Sequence, residues 1–196
     1  KPSISEEEEK AVIEVIRSGW LTTGKVTLEF EKEFSDFMNS TLDDEKQKVI
    51  SLAVNSNTSG MILAMNACGV KEGTAIITTP YTFVSTAACA KHLGADVIFC
   101  DVEKDSYNID ADKIEQILIE NEKTHKADIK AIVPVHIAGN VCNMKKIMML
   151  AKKYNLKVIE DAAHSFPSKT DMGYAGAIGD IGVFSFYATK PLTTGE

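Results

Sequence analysis

Residues 131–161, AIVPVHIAGNVCNMKKIMMLAKKYNLKVIED, decide the fold that the sequence predicts. An apolar run at 131–135 leads into a helical pattern at 143–154, and a second apolar run follows at 157–160. Two nearly continuous apolar strands joined by a helix are typical of a βαβ unit, whose strands are parallel and buried on both faces. The stretch therefore predicts a parallel sheet with helices packed on it.

The same alternation fills the chain from residue 49 onward. Further apolar runs lie at 49–54, 75–78, 97–100 and 181–186, and further helical patterns lie at 58–68, 82–92 and 110–121. Because parallel strands are joined by helical crossovers, successive units of this kind build one sheet between two layers of helices. We predict an α/β fold with three layers and a mostly parallel central sheet.

Two amphipathic helices are predicted ahead of these units, at 5–18 and 27–39. Gly19 follows the first of them at the position where a helix commonly ends. We divide the chain accordingly into an amino-terminal part, 1–40, with two helices and a loop, and a ligand-binding domain, 41–196.

The overall composition excludes several classes of protein. The formal net charge of −7 at pH 7 is spread along the chain, which argues against a nucleic-acid partner. No apolar run reaches the roughly 18 to 20 residues of a membrane span and the first ten residues are polar, so we expect a cytoplasmic protein without membrane contact. The cysteines show no Cys-x-x-Cys spacing, which favours free buried thiols over disulfides or a metal site.

Unusual polar and aromatic residues are concentrated directly after predicted strands, at 55–60, 79–83, 136–139 and 161–164. The carboxyl ends of parallel strands meet at one edge of a sheet, where α/β proteins bind their ligands. We therefore expect the functional residues in these segments and in the one after 181–186.

Three positions carry candidate chemistry, each with a simpler alternative. Thr58 and Ser59 stand where a strand gives way to a helix, which suits phosphate binding or an ordinary helix cap. Asp161 follows the run at 157–160, where a carboxylate could hold the nitrogen of a pyridine ring or cap a helix. Lys190 follows aromatic residues that would favour a neutral amine able to attack an aldehyde, although a lysine after a strand is commonly a solvated surface residue.

Several segments, taken in their order along the chain, resemble one known family. They are SGWLTTG at 18–24, PYTFVST at 80–86, PVHIAG at 134–139, EDAAH at 160–164 and FSFYATK at 184–190. Together they resemble the nucleotide-sugar aminotransferases of the DegT/DnrJ/EryC1/StrS family, and the resemblance runs the whole length of the chain.

The resemblance implies an aspartate-aminotransferase-like large domain of fold type I that binds pyridoxal 5'-phosphate. Lys190 would hold this cofactor through its amine and act as the catalytic residue, while Asp161 would pair with the ring nitrogen. His164 would lie beside the ring hydroxyl, and Phe83 would stack on the ring. The implied phosphate ligands are Thr58, Ser59 and Ser185, and the implied substrate-binding residues are Trp20, Thr22, Thr23 and Tyr187.

One position departs from the family pattern. The family usually has glycine directly before the threonine of its phosphate turn, where this chain has Asn57. Asparagine tolerates left-handed backbone angles better than most residues, so we expect the turn to be kept.

The implied reaction is transamination of a keto-sugar carried on a nucleotide diphosphate, with glutamate as the amino donor. The segments at 20–24 and 136–139 look more like those of members that act at the 4-keto position. Such enzymes are homodimers that serve amino-sugar or surface polysaccharide biosynthesis. Their second, smaller domain would lie beyond residue 196, so we expect the large domain to be incomplete here and this chain alone to show little turnover.

Two alternatives belong to other classes. A dehydratase of the same fold would carry histidine in place of the lysine, so Lys190 argues against that activity. The other alternative is a non-catalytic protein, either a nucleotide-binding domain or a cofactor-bearing regulator. The chain has neither the Gly-x-Gly-x-x-Gly motif nor the phosphate-loop motif, which argues against an ordinary nucleotide-binding domain.

Overall fold

The computed structural model describes residues 2–40 and 48–194. Its helices are α1 (Glu6–Ser18), α2 (Lys25–Asn39), α3 (Asn57–Ala67), α4 (Ser85–His92), α5 (Ala111–Thr124) and α6 (Met144–Tyr154), with a short 3-10 turn at Ile137–Gly139. Its strands are β1 (Thr74–Thr78), β2 (Asp96–Phe99), β3 (Asp128–Val133), β4 (Lys157–Asp161), β5 (Lys169–Thr170), β6 (Gly173–Tyr174) and β7 (Ile181–Val183). The predicted helices agree with these bounds to within one turn. None of the described helices is both long and apolar enough to cross a membrane.

Five of the strands form one sheet in the order β2-β1-β3-β4-β7. Its neighbouring strands are parallel, with Ile76 opposite Val97 in the pair of β1 and β2, and Ile159 opposite Ile181 in the pair of β4 and β7. The strands β5 and β6 form a separate antiparallel hairpin, which the apolar pattern did not predict because each strand is only two residues long. The predicted parallel sheet is confirmed.

Helices cover both faces of this sheet. On one face, α3 and α4 form a hydrophobic core with the strands that includes Met61, Met65, Ala90, Ile76 and Ile159. On the other face, α5 and α6 form a second core that includes Ile114, Leu118, Ile147, Leu150, Ile77 and Ile132. Burial of these side chains from water is the main force that holds the layers together. The predicted three-layer α/β fold is confirmed.

Helix α1 forms as its sequence predicts, but its apolar face is not covered. The helix begins at a capping box formed by Ser5 and Glu8, and it ends at Gly19, whose φ of 73° is left-handed. None of its residues is buried against the rest of the described chain. Its exposed apolar residues are Val12, Ile13 and Ile16.

Aromatic residues attach α2 to the carboxyl-terminal part of the chain. The ring of Phe34 lies 5.1 Å from that of Phe184 and 5.5 Å from that of Phe186, measured between centroids. The ring of Phe37 stacks on that of Tyr174 at 4.7 Å. Edge-on and offset ring pairs of this kind are favourable beyond the apolar area that they bury. These contacts hold α2 beside the end of β7.

The prediction of a strand at 49–54 is wrong, because no strand of the described chain pairs with this segment. Polar side chains of α2 bind its backbone instead: Asn39 Oδ1, Ser35 Oγ and Glu31 Oε1 accept hydrogen bonds from the N–H groups of Val49, Ser51 and Ala53 at 2.8, 2.9 and 2.8 Å. Ile50 and Leu52 are 86% and 79% exposed. The apolar run thus belongs to a segment held by a helix and not to a buried strand.

Strand β7 is shorter than the apolar run at 181–186 from which it was predicted. Its pairing with β4 ends at Val183, and the aromatic side chains that follow pack on α2 instead. The boundary proposed between residues 40 and 41 adjoins residues 41–47, which lie outside the described part of the chain, as do residues 195 and 196.

Candidate functional site

A cavity of about 2200 Å³ opens at the carboxyl ends of β1, β4 and β7. The residues lining it include seven of those predicted to bind cofactor or substrate: Thr58, Phe83, Asp161, His164, Ser185, Tyr187 and Lys190. Single small-molecule sites commonly measure roughly 300 to 1,000 Å³. The cavity is therefore large enough for a cofactor together with a second molecule.

Four other predicted site residues do not line this cavity. The N–H and hydroxyl groups of Ser59 contact Ser56 Oγ at 3.2 and 3.1 Å. Trp20, Thr22 and Thr23 lie in the loop between α1 and α2, where Trp20 Nε1 donates a hydrogen bond of 3.0 Å to the Thr23 carbonyl. Trp20 is 65% exposed. The binding roles of these four residues remain predictions.

The amino terminus of α3 faces the cavity. Ser56 is its N-cap residue, and the Ser56 side chain accepts a hydrogen bond from the N–H of Ser59. The remaining N–H groups of a first helical turn have no partner within the helix and carry partial positive charge, which suits an anionic ligand. Ser56 was not among the residues predicted to bind a ligand, although serine directly before a helical pattern is the usual sign of an N-cap.

Asn57 is the first residue of α3, and its φ is not positive. The expected reason for asparagine at this position, tolerance of a left-handed turn, therefore does not apply. Its side-chain amide contacts two strand ends instead: Nδ2 lies 3.0 Å from the Val183 carbonyl oxygen and 3.4 Å from Asp161 Oδ1.

The carboxylate of Asp161 is buried at the end of β4, with 4% of the residue exposed. Its Oδ2 accepts a hydrogen bond of 2.8 Å from Thr86 Oγ1, and its Oδ1 lies 3.3 Å from the N–H of Ala163. These partners and Asn57 are neutral donors. Since a buried carboxylate is stabilised by a positive partner, this arrangement favours a cationic group of a ligand in the cavity.

Lys190 and His164 line the same cavity, and their charges influence each other. Burial lowers the pKa of Lys190 below its ordinary value, and the carboxylate of Asp161 partly opposes this shift. Desolvation and the nearby Lys190 ammonium lower the pKa of His164, while Asp161 acts in the opposite direction. Both shifts increase the neutral fraction of the side chain at a given pH, relative to a lysine or histidine in water.

Phe83 lies on the loop after β1 and is 72% exposed, so its ring face is available to a ligand. The hydroxyl of Thr86 fixes this loop, since it lies 2.9 Å from Thr82 Oγ1 and 3.2 Å from the carbonyl oxygen of Phe83. The same hydroxyl binds Asp161. Thr86 therefore connects the loop that carries Phe83 to the buried carboxylate.

The cysteines are free thiols in this structure. Burial raises the pKa of Cys100 and of Cys142 to about 12, so neither supplies a thiolate near neutral pH. Among residues 2–40 and 48–194, no group of three or more His, Cys, Asp or Glu side chains could hold a metal ion.

The sequence profile of the DegT/DnrJ/EryC1/StrS aminotransferase family matches residues 2–196 of this chain. The spore coat polysaccharide biosynthesis protein SpsC of Bacillus subtilis is 40% identical over 195 residues, which are 100% of this chain and 46% of that protein. The UDP-4-amino-4,6-dideoxy-N-acetyl-beta-L-altrosamine transaminase of Campylobacter jejuni is 36% identical over 194 residues, which are 99% of this chain and 48% of that protein. The chain spans about half the length of these curated relatives.

A solved structure shows the same fold. The crystal structure of a DegT DnrJ EryC1 StrS aminotransferase from Brucella abortus superposes with a TM-score of 0.88 and 30% sequence identity. The match covers 96% of this chain and 48% of that chain. The three-layer fold is therefore shared with a solved aminotransferase.

Proposed function

Because this chain belongs to the DegT/DnrJ/EryC1/StrS aminotransferase family, we propose that it forms the cofactor-binding part of an enzyme that transfers an amino group from glutamate to a nucleotide-linked keto-sugar. Aminotransferases of this family depend on pyridoxal 5'-phosphate, and we propose this cofactor here. One observation carries the proposal: the partly buried amine of Lys190 and the buried carboxylate of Asp161 line a single cavity.

The chemistry of the cavity fits each polar group of this cofactor. The first turn of α3 presents backbone N–H groups and Thr58 to a phosphate, and Ser185 adds a hydroxyl after β7. Among the described residues, the donors to the buried Asp161 carboxylate are neutral, so the carboxylate could pair with a protonated ring nitrogen. Lys190 supplies an amine, and Phe83 supplies an exposed aromatic face.

When bound, pyridoxal phosphate supplies an aldehyde carbon that bonds to amines and a cationic ring that withdraws electrons from the reacting carbon. Lys190 is the residue whose amine would hold that carbon, and its lowered pKa increases the neutral fraction able to attack it. The amine of Lys190 would also move a proton at the substrate carbon, first as general base and then as general acid.

Asp161 and His164 would set the electronic state of the site. The Asp161 carboxylate would keep a ring nitrogen protonated by stabilising its positive charge, and neutral donors hold that carboxylate in place. The lowered pKa of His164 favours its neutral imidazole, which can form a hydrogen bond with a ring hydroxyl without adding a second positive charge.

The proposed acceptor substrate carries its keto group at the 4-position of the sugar. The name of the Campylobacter relative specifies a 4-amino sugar on UDP, and that of the Bacillus relative specifies polysaccharide biosynthesis. The size of the cavity supports a substrate beside the cofactor. We assign substrate binding to Tyr187, which lines the cavity, and to the exposed loop residues Trp20, Thr22 and Thr23.

The proposed assembly is a homodimer in the cytoplasm. The uncovered apolar face of α1 and the exposed residue Val84 support an interface with a second chain. The exposed loop at 20–24 directly follows α1, so such an interface would place the loop beside the second chain. The free thiols support a reducing compartment.

Cofactor attachment tests the proposal directly. The purified chain is mixed with pyridoxal phosphate, and its visible absorbance is recorded before and after borohydride reduction. We expect a visible band that borohydride removes, with the cofactor mass on the peptide that contains Lys190. Lys190→Ala should lose both signals, whereas Lys169→Ala, which changes an exposed lysine, should keep them. Attachment to another lysine, or none, would contradict the proposal.

A second measurement separates an enzyme from a regulator. Glutamate is added to the full-length, cofactor-loaded protein, and a panel of UDP- and GDP-linked 4-keto-sugars follows. An aminotransferase loses the visible band with glutamate and regains it with the correct sugar, because the amino group leaves on the product. A band that glutamate leaves unchanged would exclude the proposed half-reaction.

A further inference from the structure

The side-chain amide of Asn57 meets three elements of the proposed cofactor site. Asn57 itself begins α3, its Nδ2 donates to the Val183 carbonyl at the end of β7, and the same nitrogen approaches Asp161 Oδ1 at the end of β4. A primary amide carries two hydrogens on its nitrogen, so both contacts can exist at the same time. One side chain therefore joins the helix, the carboxylate and the strand that leads to Lys190.

The contacts of Asp161 leave room for a ligand. Thr86 binds Oδ2, while Asn57 and the N–H of Ala163 approach Oδ1 from longer distances. An ionised carboxylate offers about four lone-pair positions. The carboxylate is thus held on both oxygens and can still accept a further hydrogen bond.

The resemblance to the family implies glycine at this position, where the chain has Asn57. Glycine has no side chain and makes neither contact. Because the backbone of Asn57 is not left-handed, asparagine differs from glycine here through its side-chain contacts and not through its backbone conformation.

Resting on the proposed function, we propose that Asn57 is a positioning residue that orients the Asp161 carboxylate toward the nitrogen of the cofactor ring. Thr86 and Asn57 hold the carboxylate before the ring arrives, so less conformational freedom is lost on binding. The amide acts through Asp161 and not on the ring itself. The contribution of the Asn57 amide to cofactor binding should therefore depend on the presence of the ring nitrogen.

Binding of two compounds tests this dependence. The compounds are pyridoxal phosphate and its 1-deaza analogue, in which C–H replaces the ring nitrogen, and dissociation constants are measured by equilibrium dialysis. The variants are Asn57→Leu, which keeps the size of the side chain, and Asn57→Gly, which restores the usual family residue. We expect both to weaken binding of pyridoxal phosphate about three- to tenfold, the factor for ordering one side chain on binding, and to change binding of the analogue less than about twofold.

Equal weakening of both compounds would overturn the proposal, because Asn57 would then act only by shaping the start of α3. Unchanged binding of pyridoxal phosphate would overturn it as well. If the wild-type chain bound neither compound, the proposed function would fail. A measurement without cofactor would then still test whether Asn57 contacts Asp161.

That measurement follows the side-chain amide of Asn57 by NMR in the chain without cofactor. Asp161→Asn should shift the two amide proton resonances and accelerate their exchange with solvent, because a carboxylate acceptor is lost. Asp171→Asn, at an exposed carboxylate, is the matched control and should leave the resonances unchanged. Identical spectra for both variants would show that Asn57 does not orient Asp161.

Discussion

The imidazole of His136 and the carboxylate of Glu160 form a hydrogen bond of 2.8 Å between Nε2 and Oε2, and neither side chain is accessible to solvent. The N–H of Cys142 donates to His136 Nδ1, so Nε2 carries the ring proton and donates it to Glu160. The same carboxylate accepts hydrogen bonds from the backbone N–H groups of Gly176, Ile178 and Gly179. Glu160 therefore joins β4 to the segment that leads into β7, next to Asp161.

Replacing Glu160 by alanine should strongly destabilise the fold. The change leaves the buried His136 imidazole N–H and three partly buried backbone N–H groups without their acceptor. We expect the free energy of unfolding to fall by about 3 to 5 kcal/mol, measured by urea denaturation. Glu122→Ala, at an exposed carboxylate, should change it by less than about 0.5 kcal/mol. Equal effects of the two variants would contradict this interpretation.

The reactivity of Lys190 should shift to lower pH in Asp161→Asn. Burial lowers the pKa of Lys190 and the Asp161 carboxylate raises it, so removing the negative charge leaves the lowering effect unopposed. A larger share of the amine is then neutral at each pH below that pKa. Acetic anhydride labelling over a pH series, with the Lys190 peptide quantified by mass spectrometry, should show the shift. Asp171→Asn should leave the profile in place, and a shift to higher pH would refute the predicted sign.

The titration of His164 should move upward in Lys190→Met. The Lys190 ammonium lowers the pKa of His164, and Asp161 raises it. Without the ammonium, desolvation alone opposes Asp161, so His164 should take up its proton at a higher pH than in the wild type. NMR titration of the imidazole protons measures this change. Lys169→Met removes an exposed lysine and serves as control. A lower pKa of His164 in Lys190→Met would contradict the prediction.

Gly176 should tolerate alanine less well than Gly19 does. Both have left-handed backbones, with φ of 89° and 73°. A Cβ at Gly19 meets nothing within 4 Å, whereas at Gly176 it would lie 2.2 Å from Cζ of Phe184, whose ring is packed on α2. We expect Gly19→Ala to cost about 1 to 2 kcal/mol of folding free energy and Gly176→Ala about 1 to 3 kcal/mol more. Thermal and urea unfolding of the pair would show the difference, and equal losses would mean that Phe184 can move aside.

The sequence predicted the main helices and strands because their signals are local. A strand buried on both faces leaves a continuous apolar run, and a helix leaves a period of about 3.6 residues. The segment at 49–54 carries the first signal without being a strand, since its partner is the polar side of α2. A pattern of apolar residues indicates which side chains tend to be buried. It does not indicate which element supplies the hydrogen-bond partners of the backbone.

The sequence predicted which segments carry the residues of the candidate site. It did not predict which of their side chains are in contact. Lys190 and Asp161 follow strands whose carboxyl ends meet, so their presence in one cavity follows from the parallel sheet. The contacts of Asp161 with Thr86 and Asn57 join residues 75 and 104 positions apart in the chain. They depend on the order of the strands, which local patterns do not contain.

The side chains of α2 that bind 49–53 also fix where the next helix starts. The three side chains, those of Glu31, Ser35 and Asn39, are four residues apart along α2. The backbone N–H groups that they bind are two residues apart. Four residues of helix span about 6.0 Å, and two residues of extended chain span about 6.6 Å. Because these distances are nearly equal, three side chains on successive turns can reach three alternate N–H groups. Sliding the chain by a single position would turn the wrong amides toward the helix. Helix α2, which also lines the cavity through Glu31, thereby sets the sequence register of Asn57 and Thr58.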